Sequence, residues 1–237
     1  MEFHAKAPVG TIRGIGLSRA RGPVLSCGLE PKAAWYLCFR VTDRCYAGVM
    51  VFQEMVKCFL AALPVRMGKI RSAVAQKERR SKEGTYAVLG NHDLTTSNSI
   101  FQKFVADSHI QLLDNQAARL SCLNLVGRTN AAHNHRDPVE YFTGKVDRTV
   151  PTVVVDRDPN SIPEALSFGA SLVLCGHTHK RQFFPATFFT CLANGNHFFY
   201  GCEKFGDAYA VISSGAGYFQ LPVRIGTDNE VVEIRLS

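Results

Sequence analysis

The chain has 237 residues, of which 46% are hydrophobic and 20% charged, with a net charge of +7. It contains no internal repeat and no low-complexity tract, which excludes repeat and fibrous architectures and suits one large globular domain or two small ones. The charge is uneven: residues 1–82 hold 15 Lys and Arg against 5 Asp and Glu, whereas residues 83–237 hold 12 against 15.

The opening stretch, MEFHAKAPVGTIRGIG, has no apolar core, so no signal peptide is expected. PVLSCGL (23–29) and WYLCFRV (35–41) are strand candidates. VMVFQEMVKCFLAAL (49–63) reads as a helix. It lies within the best membrane candidate, residues 46–65, but Glu54 and Lys57 sit near the centre of that window, and a charge there costs roughly 2.5–3.5 kcal/mol. A buried or amphipathic helix is therefore expected rather than a span. Residues 66–84 are basic and read as a charged helix. The eight cysteines form no CxxC pair, so reduced thiols and a cytoplasmic location are expected, with no cysteine zinc site. The basic first third suits an anionic membrane surface as an alternative role. No nucleic-acid motif accompanies the charge, so nucleic acid is not favoured.

From residue 83 the pattern is regular. TYAVL (85–89) is an apolar run ending in GNHD. SNSIFQKFVADS (97–108) places Ile100, Phe101, Phe104 and Val105 on one helical face. IQLL (110–113) and LNLVG (123–127) read as strands, with DNQAARLS as their connection. Residues 130–149 are polar and punctuated, a long loop. TVVVD (152–156) and SLVLC (171–175) are buried strands. SIPEALSFG (161–169) is a short helix: Ser161 and Glu164 have capping-box spacing, Pro163 lies in the first turn and Gly169 closes the end. YAVISSG (209–215) and VVEIRL (231–236) complete the strands. The alternation predicts an α/β or layered α+β fold with sheets covered on both faces, divided into a basic segment, 1–82, and a main domain, 83–237.

Three buried strands run into polar clusters: VL-GNHD, VVV-DRDP and LVLC-GHTH. Ligands of α/β sheets bind beyond the carboxyl ends of strands. Asn91, His92, Asp93, Asp156, Arg157, Asp158, His177 and His179 are thus candidates for one site. An HxH pair or a GNHD turn alone is a weak signal. Both together, each after a buried strand, are far harder to obtain by chance.

GNHD followed some 85 residues later by GHTH resembles the calcineurin-like metallophosphoesterases. TYAVLGNHD, IQLLDN, LNLVG, DRDPNSIPEALSFGASLVLCGHTHKRQ and SSGAGYFQLPVR follow that family's order over residues 83–237. They look most like a bacterial branch that includes membrane-associated members, which leaves membrane association open beside a cytoplasmic location. The resemblance implies two packed mixed β-sheets flanked by helices. It also implies hydrolysis of a phosphoester, of unknown identity, by two divalent metals (Mn, Fe or Zn) about 3.5–4 Å apart. By the same resemblance Asn91 and His177 would bind the second metal, His179 the first, and His92 would sit beside the scissile phosphate.

Against that pattern, residues 1–82 contain neither an Asp-x-His nor a Gly-Asp-x-x-Asp; their only aspartates reduce to Asp43, and Glu2-Phe3-His4 follows no strand. The fold is thus expected to be incomplete at the N-terminus. The family's Asp-His-x-Pro reads Asp156-Arg157-Asp158-Pro159 here, with arginine at the metal-binding histidine. The surviving ligands are neutral, and arginine cannot deprotonate to become one. Zero or one metal is expected instead of two, the single-metal option being His177 and His179 with Asp156 or Asp158. His133 and His135, in the long loop, are weaker substitutes. Three readings follow: a phosphoesterase-type hydrolase; a non-catalytic relative with a residual metal- or anion-binding pocket, Arg157 serving as an anion fork; and a basic N-terminal module that binds an anionic membrane or nucleic acid. The composition break suggests a shifted reading frame or a replaced segment upstream of residue 83. Translation of the neighbouring frames of the gene is expected to reveal both missing motifs, and their absence from every frame refutes the frame shift.

Overall fold

A computed structural model describes residues 15–21, 34–41, 45–52, 83–90, 103, 105–107, 110–130, 136–178, 199–215, 225–227 and 230–236. Twelve strands among them form two six-stranded mixed sheets. The first sheet runs in the order β1 (Ile15–Arg21), β12 (Glu230–Leu236), β2 (Ala34–Val41), β3 (Cys45–Phe52), β4 (Thr85–Val88), β5 (Ile110–Leu112). The second runs β10 (Gly201–Phe205), β11 (Ala208–Ile212), β9 (Leu172–Cys175), β8 (Thr152–Val155), β7 (Asn124–Gly127), β6 (Gln116–Arg119). The expected pair of mixed sheets is present. The first sheet crosses the composition break at residue 82: β3 lies parallel to β4, with Val49 opposite Tyr86.

The register of the second sheet explains its sequence. Val153, Val155, Leu172, Leu174 and Val211 turn to one side and pack with Tyr86, Val88, Val232, Ile234 and Leu236 of the first sheet. The intervening Val154, Val173, Cys175, Ala210 and Ile212 turn to the other side. There they meet Ile162, Ala165 and Phe168 of helix α1 (Ile162–Phe168), together with Val139 and Phe142 of a 3-10 turn (Val139–Phe142). Successive strand side chains alternate faces, and both faces are covered, so TVVV and LVLC have no polar position to spend. Each such Val or Leu contributes roughly 1.5–3 kcal/mol by leaving water.

Several expectations are corrected. Residues 49–52 are strand, not the start of a helix: CYAGVMVF pairs with β2 along its whole length. A fully apolar run has no diagnostic period, so helix and buried strand are indistinguishable without partners. DNQAARLS contains β6, which forms an antiparallel ladder with β7. The long loop contains the 3-10 turn, anchored by fully buried Val139 and Phe142. The capping box does not form. A 3-10 turn (Pro159–Ser161) runs straight into α1, so Ser161 is already helical, and its hydroxyl donates back to the Asp158 carbonyl at 2.6 Å. Gly169 does close the helix, at φ 95°. Lys103 and Val105–Asp107 are helical; the rest of 97–108 lies outside the described residues, as do PVLSCGL, residues 53–63 and most of 66–84. Among the described residues no helix is long and apolar enough to cross a membrane, and Cys122 and Cys175 are free thiols.

Gly127 marks a close approach between the sheets. A Cβ there would collide with the Leu113 side chain, lie 2.8 Å from the Leu113 carbonyl oxygen and lie 3.0 Å from Val88 Cγ1. A backbone oxygen cannot swing aside as a side chain can. Gly127→Ala is expected to lower stability by about 1–3 kcal/mol in urea unfolding; an unchanged midpoint contradicts this packing.

Candidate functional site

β7, β8, β9 and β11 are parallel neighbours, and their carboxyl ends converge. The chain leaves them at Arg128, Asp156-Arg157, Gly176-His177 and Ser213-Ser214 respectively. Backbone bonds hold the exits level: Arg128 N–H donates to the Val155 carbonyl (3.0 Å), Asp156 N–H to Leu174 (3.0 Å) and Ser213 N–H to Cys175 (3.1 Å). Of the residues expected to form the site, Asp156, Arg157, Asp158 and His177 are brought together here. Asn91, His92, Asp93 and His179 lie outside the described residues, as do His133 and His135.

Asp156 is fully buried. Arg136 grips its carboxylate with both terminal nitrogens, Nη2 to Oδ2 at 2.7 Å and Nη1 to Oδ1 at 3.3 Å. Asp158 N–H donates to Oδ1 at 3.0 Å, and Arg128 Nη1 stands 3.6 Å from Oδ2. Arg128, 1% exposed, makes a two-pronged bond to Glu164, 2.8 Å on each arm, and also donates to the Asp137 carbonyl. Glu164 accepts a further bond from Val139 N–H at 3.2 Å. Burial pushes the Asp156 carboxyl up, against the pull of the Arg136 charge. The hydrogen bond from Arg128 holds the Glu164 carboxyl below its usual range. Burial also drives the Cys175 thiol well up, with the nearby Asp156 charge adding to it.

Arg157 is 1% exposed, and its Nη2 lies 3.2 Å from His177 Nδ1. His177 itself is exposed and adopts φ 72°, a left-handed conformation that costs a non-glycine residue about 1–3 kcal/mol. Thr178 N–H donates back to the Gly176 carbonyl at 2.9 Å, closing a three-residue turn around it. The Thr178 hydroxyl donates to the Phe199 carbonyl at 2.7 Å, tying the turn to the rest of the fold. Asp158 caps the 3-10 turn through Asn160 N–H at 3.0 Å.

A divalent cation needs carboxylates or imidazoles with lone pairs to spare. Here the Asp156 oxygens are engaged by guanidinium and amide, the next residue is a cation, and His177 Nδ1 is bonded to that cation. The described residues contain no group of three or more His, Cys, Asp or Glu arranged to hold a metal. This part of the donor set does not fit one.

Arg128, Arg136 and Glu164 were not anticipated as site residues. Arg128 follows LNLVG as Arg157 follows TVVVD, so its placement after a buried strand was a usable signal. Arg136 lies in an irregular loop with no such marker. Glu164 had been explained as a cap.

A metallophosphoesterase of Helicobacter pylori described as uncharacterized is 28% identical over 163 residues, 66% of this chain and 44% of that protein. A Campylobacter jejuni protein described in the same terms is 28% identical over 166 residues, 66% of this chain and 43% of its own. A Bos taurus "transmembrane protein with metallophosphoesterase domain" is 29% identical over 189 residues, 71% of this chain and 42% of its own. These likenesses support the resemblance to the calcineurin-like metallophosphoesterases carried by the motifs. That family is one of phosphoesterase-type hydrolases and implies divalent-metal dependence. The chain spans less than half the length of these curated relatives. No family model and no solved structure matches it.

Glu164 links α1 to the cluster through Arg128. It is 39% exposed, so Glu164→Gln is expected to cost only about 1–2 kcal/mol near neutral pH. Its folded carboxyl titrates below the ordinary 4.5, so its contribution is complete above that value and disappears as pH falls through the lowered one. The stability gap between wild type and Glu164→Gln should therefore be full near pH 7 and shrink as the pH falls below 4.5 in urea titrations. A gap that persists in acid would assign the effect to packing instead.

Proposed function

We propose that this chain is a metallophosphoesterase relative that does not carry out two-metal phosphoester hydrolysis. It keeps the family's scaffold around a guanidinium-rich centre. The observation that carries the reading is the buried Arg157 bonded to His177 Nδ1 at 3.2 Å. A cation that cannot lose its proton stands against one of the imidazoles the family resemblance gives to metal. The charge balance points the same way. Arg128 and Arg136 flank Asp156, Arg157 follows it in the chain and meets His177, and Glu164 is the other partnered acid. Two divalent ions would add +4 to a neighbourhood whose carboxylates are already committed.

The hydrolase reading draws on the intact GNHD and GHTH and on the relatives' names. Hydrolysis of a generic aryl phosphodiester with Mn²⁺, together with metal analysis after desalting, separates the two. The expected result is less than one metal ion per chain and turnover no faster than buffer. Two ions per chain, with Mn²⁺-dependent turnover abolished by His92→Ala, would instead establish the hydrolase.

A further inference from the structure

We infer that the Arg157 guanidinium is the resident cation of this centre: it holds His177 by Nδ1 and keeps divalent metal off that ring. The inference rests on the reading that the chain does not hold the family's metal pair. Arginine carries only donors, so in the 3.2 Å contact His177 Nδ1 is the acceptor. A neutral imidazole that accepts at Nδ1 carries its proton on Nε2. Neither ring nitrogen then offers a lone pair, and a metal ligand needs one.

The contact is also built into the main chain. The Arg157 carbonyl accepts from Gly176 N–H at 3.2 Å, and Gly176 closes the turn around His177. The two residues are thus joined by backbone on one side and by side chains on the other. Arg157 is 1% exposed, so the guanidinium is not a surface group drifting over a loop. The neighbouring Asp156 cannot release Arg157's role to a metal, because its oxygens are gripped by Arg136.

The test uses Mn²⁺ as probe and the full chain, with wild type, Arg157→His and Arg157→Lys each checked for cooperative thermal unfolding. Arg157→His removes the fixed cation and supplies an imidazole; Arg157→Lys keeps a positive charge. Calorimetry or EPR is expected to show Mn²⁺ binding at least about tenfold tighter in Arg157→His than in wild type, with Arg157→Lys unchanged. Long-range ¹H–¹⁵N NMR of the unaltered chain at about pH 8, with His177 assigned through His177→Gln, is expected to show the proton on Nε2 and a bare, hydrogen-bonded Nδ1. The NMR result decides alone if Arg157→His does not fold. A His177 proton on Nδ1 overturns the inference, as does a folded Arg157→His that binds Mn²⁺ no better than wild type. Mn²⁺ bound by wild type at other residues, with the His177 proton still on Nε2, upholds this inference while refuting the functional reading before it.

Discussion

A carboxylate at zero exposure, Asp156 at the end of β8, is the constraint on which the surrounding structure depends. Burying a lone charge is costly, and removing a partner from a buried pair costs about 3–5 kcal/mol. Two arginines answer it from one connection, Arg128 at the exit of β7 and Arg136 eight residues on. Arg128 then needs its own counter-charge and finds Glu164 on α1. One carboxylate thus fixes where the Arg128 and Arg136 side chains sit, the placement of α1 and the docking of the 3-10 turn through Val139 N–H. The helix is only seven residues long, too short to be stable on its own propensity. It persists because its apolar face covers the second sheet and its Glu164 is held by Arg128.

The same cluster separates what the family scaffold supplies from what this chain does with it. Parallel strands deliver polar residues to a shared edge, which is the arrangement a metal centre requires. The edge here is filled with guanidinium groups, whose fixed positive charge and lack of acceptors suit them to bind carboxylates rather than to bind metals. Arg157 against the strained turn at His177 is the point where the substitution in the sequence becomes a contact in space. Backbone strain of this kind collects at functional positions and persists only when neighbours over-determine it. The bonds from Thr178 to Gly176 and to Phe199 supply that determination.

Much of the fold was legible because hydrophobic pattern and burial agree. TVVV and LVLC are apolar throughout because both their faces are covered, and Gly169 ends α1 because a left-handed residue was needed there. Legibility failed where a segment depends on its partner. QAAR has no apolar face and becomes β6 only through its ladder to β7. CYAGVMVF is equally apolar as helix or strand, and β2 and β4 on either side decide it. Glu164 satisfies a local capping pattern, yet a buried guanidinium binds it more strongly than a backbone amide would.

By itself, the sequence determined the family resemblance, the order of the buried strands and the presence of an arginine where the family pattern has histidine. These are properties of residue identity and spacing along the chain. Only the tertiary structure decided which charges meet. Arg128 and Arg136 follow β7 and Glu164 lies on α1, and nothing local announces that they meet around Asp156. Their pairing follows from the cost of an uncompensated charge in a space that exists only once two sheets and a helix have closed around it.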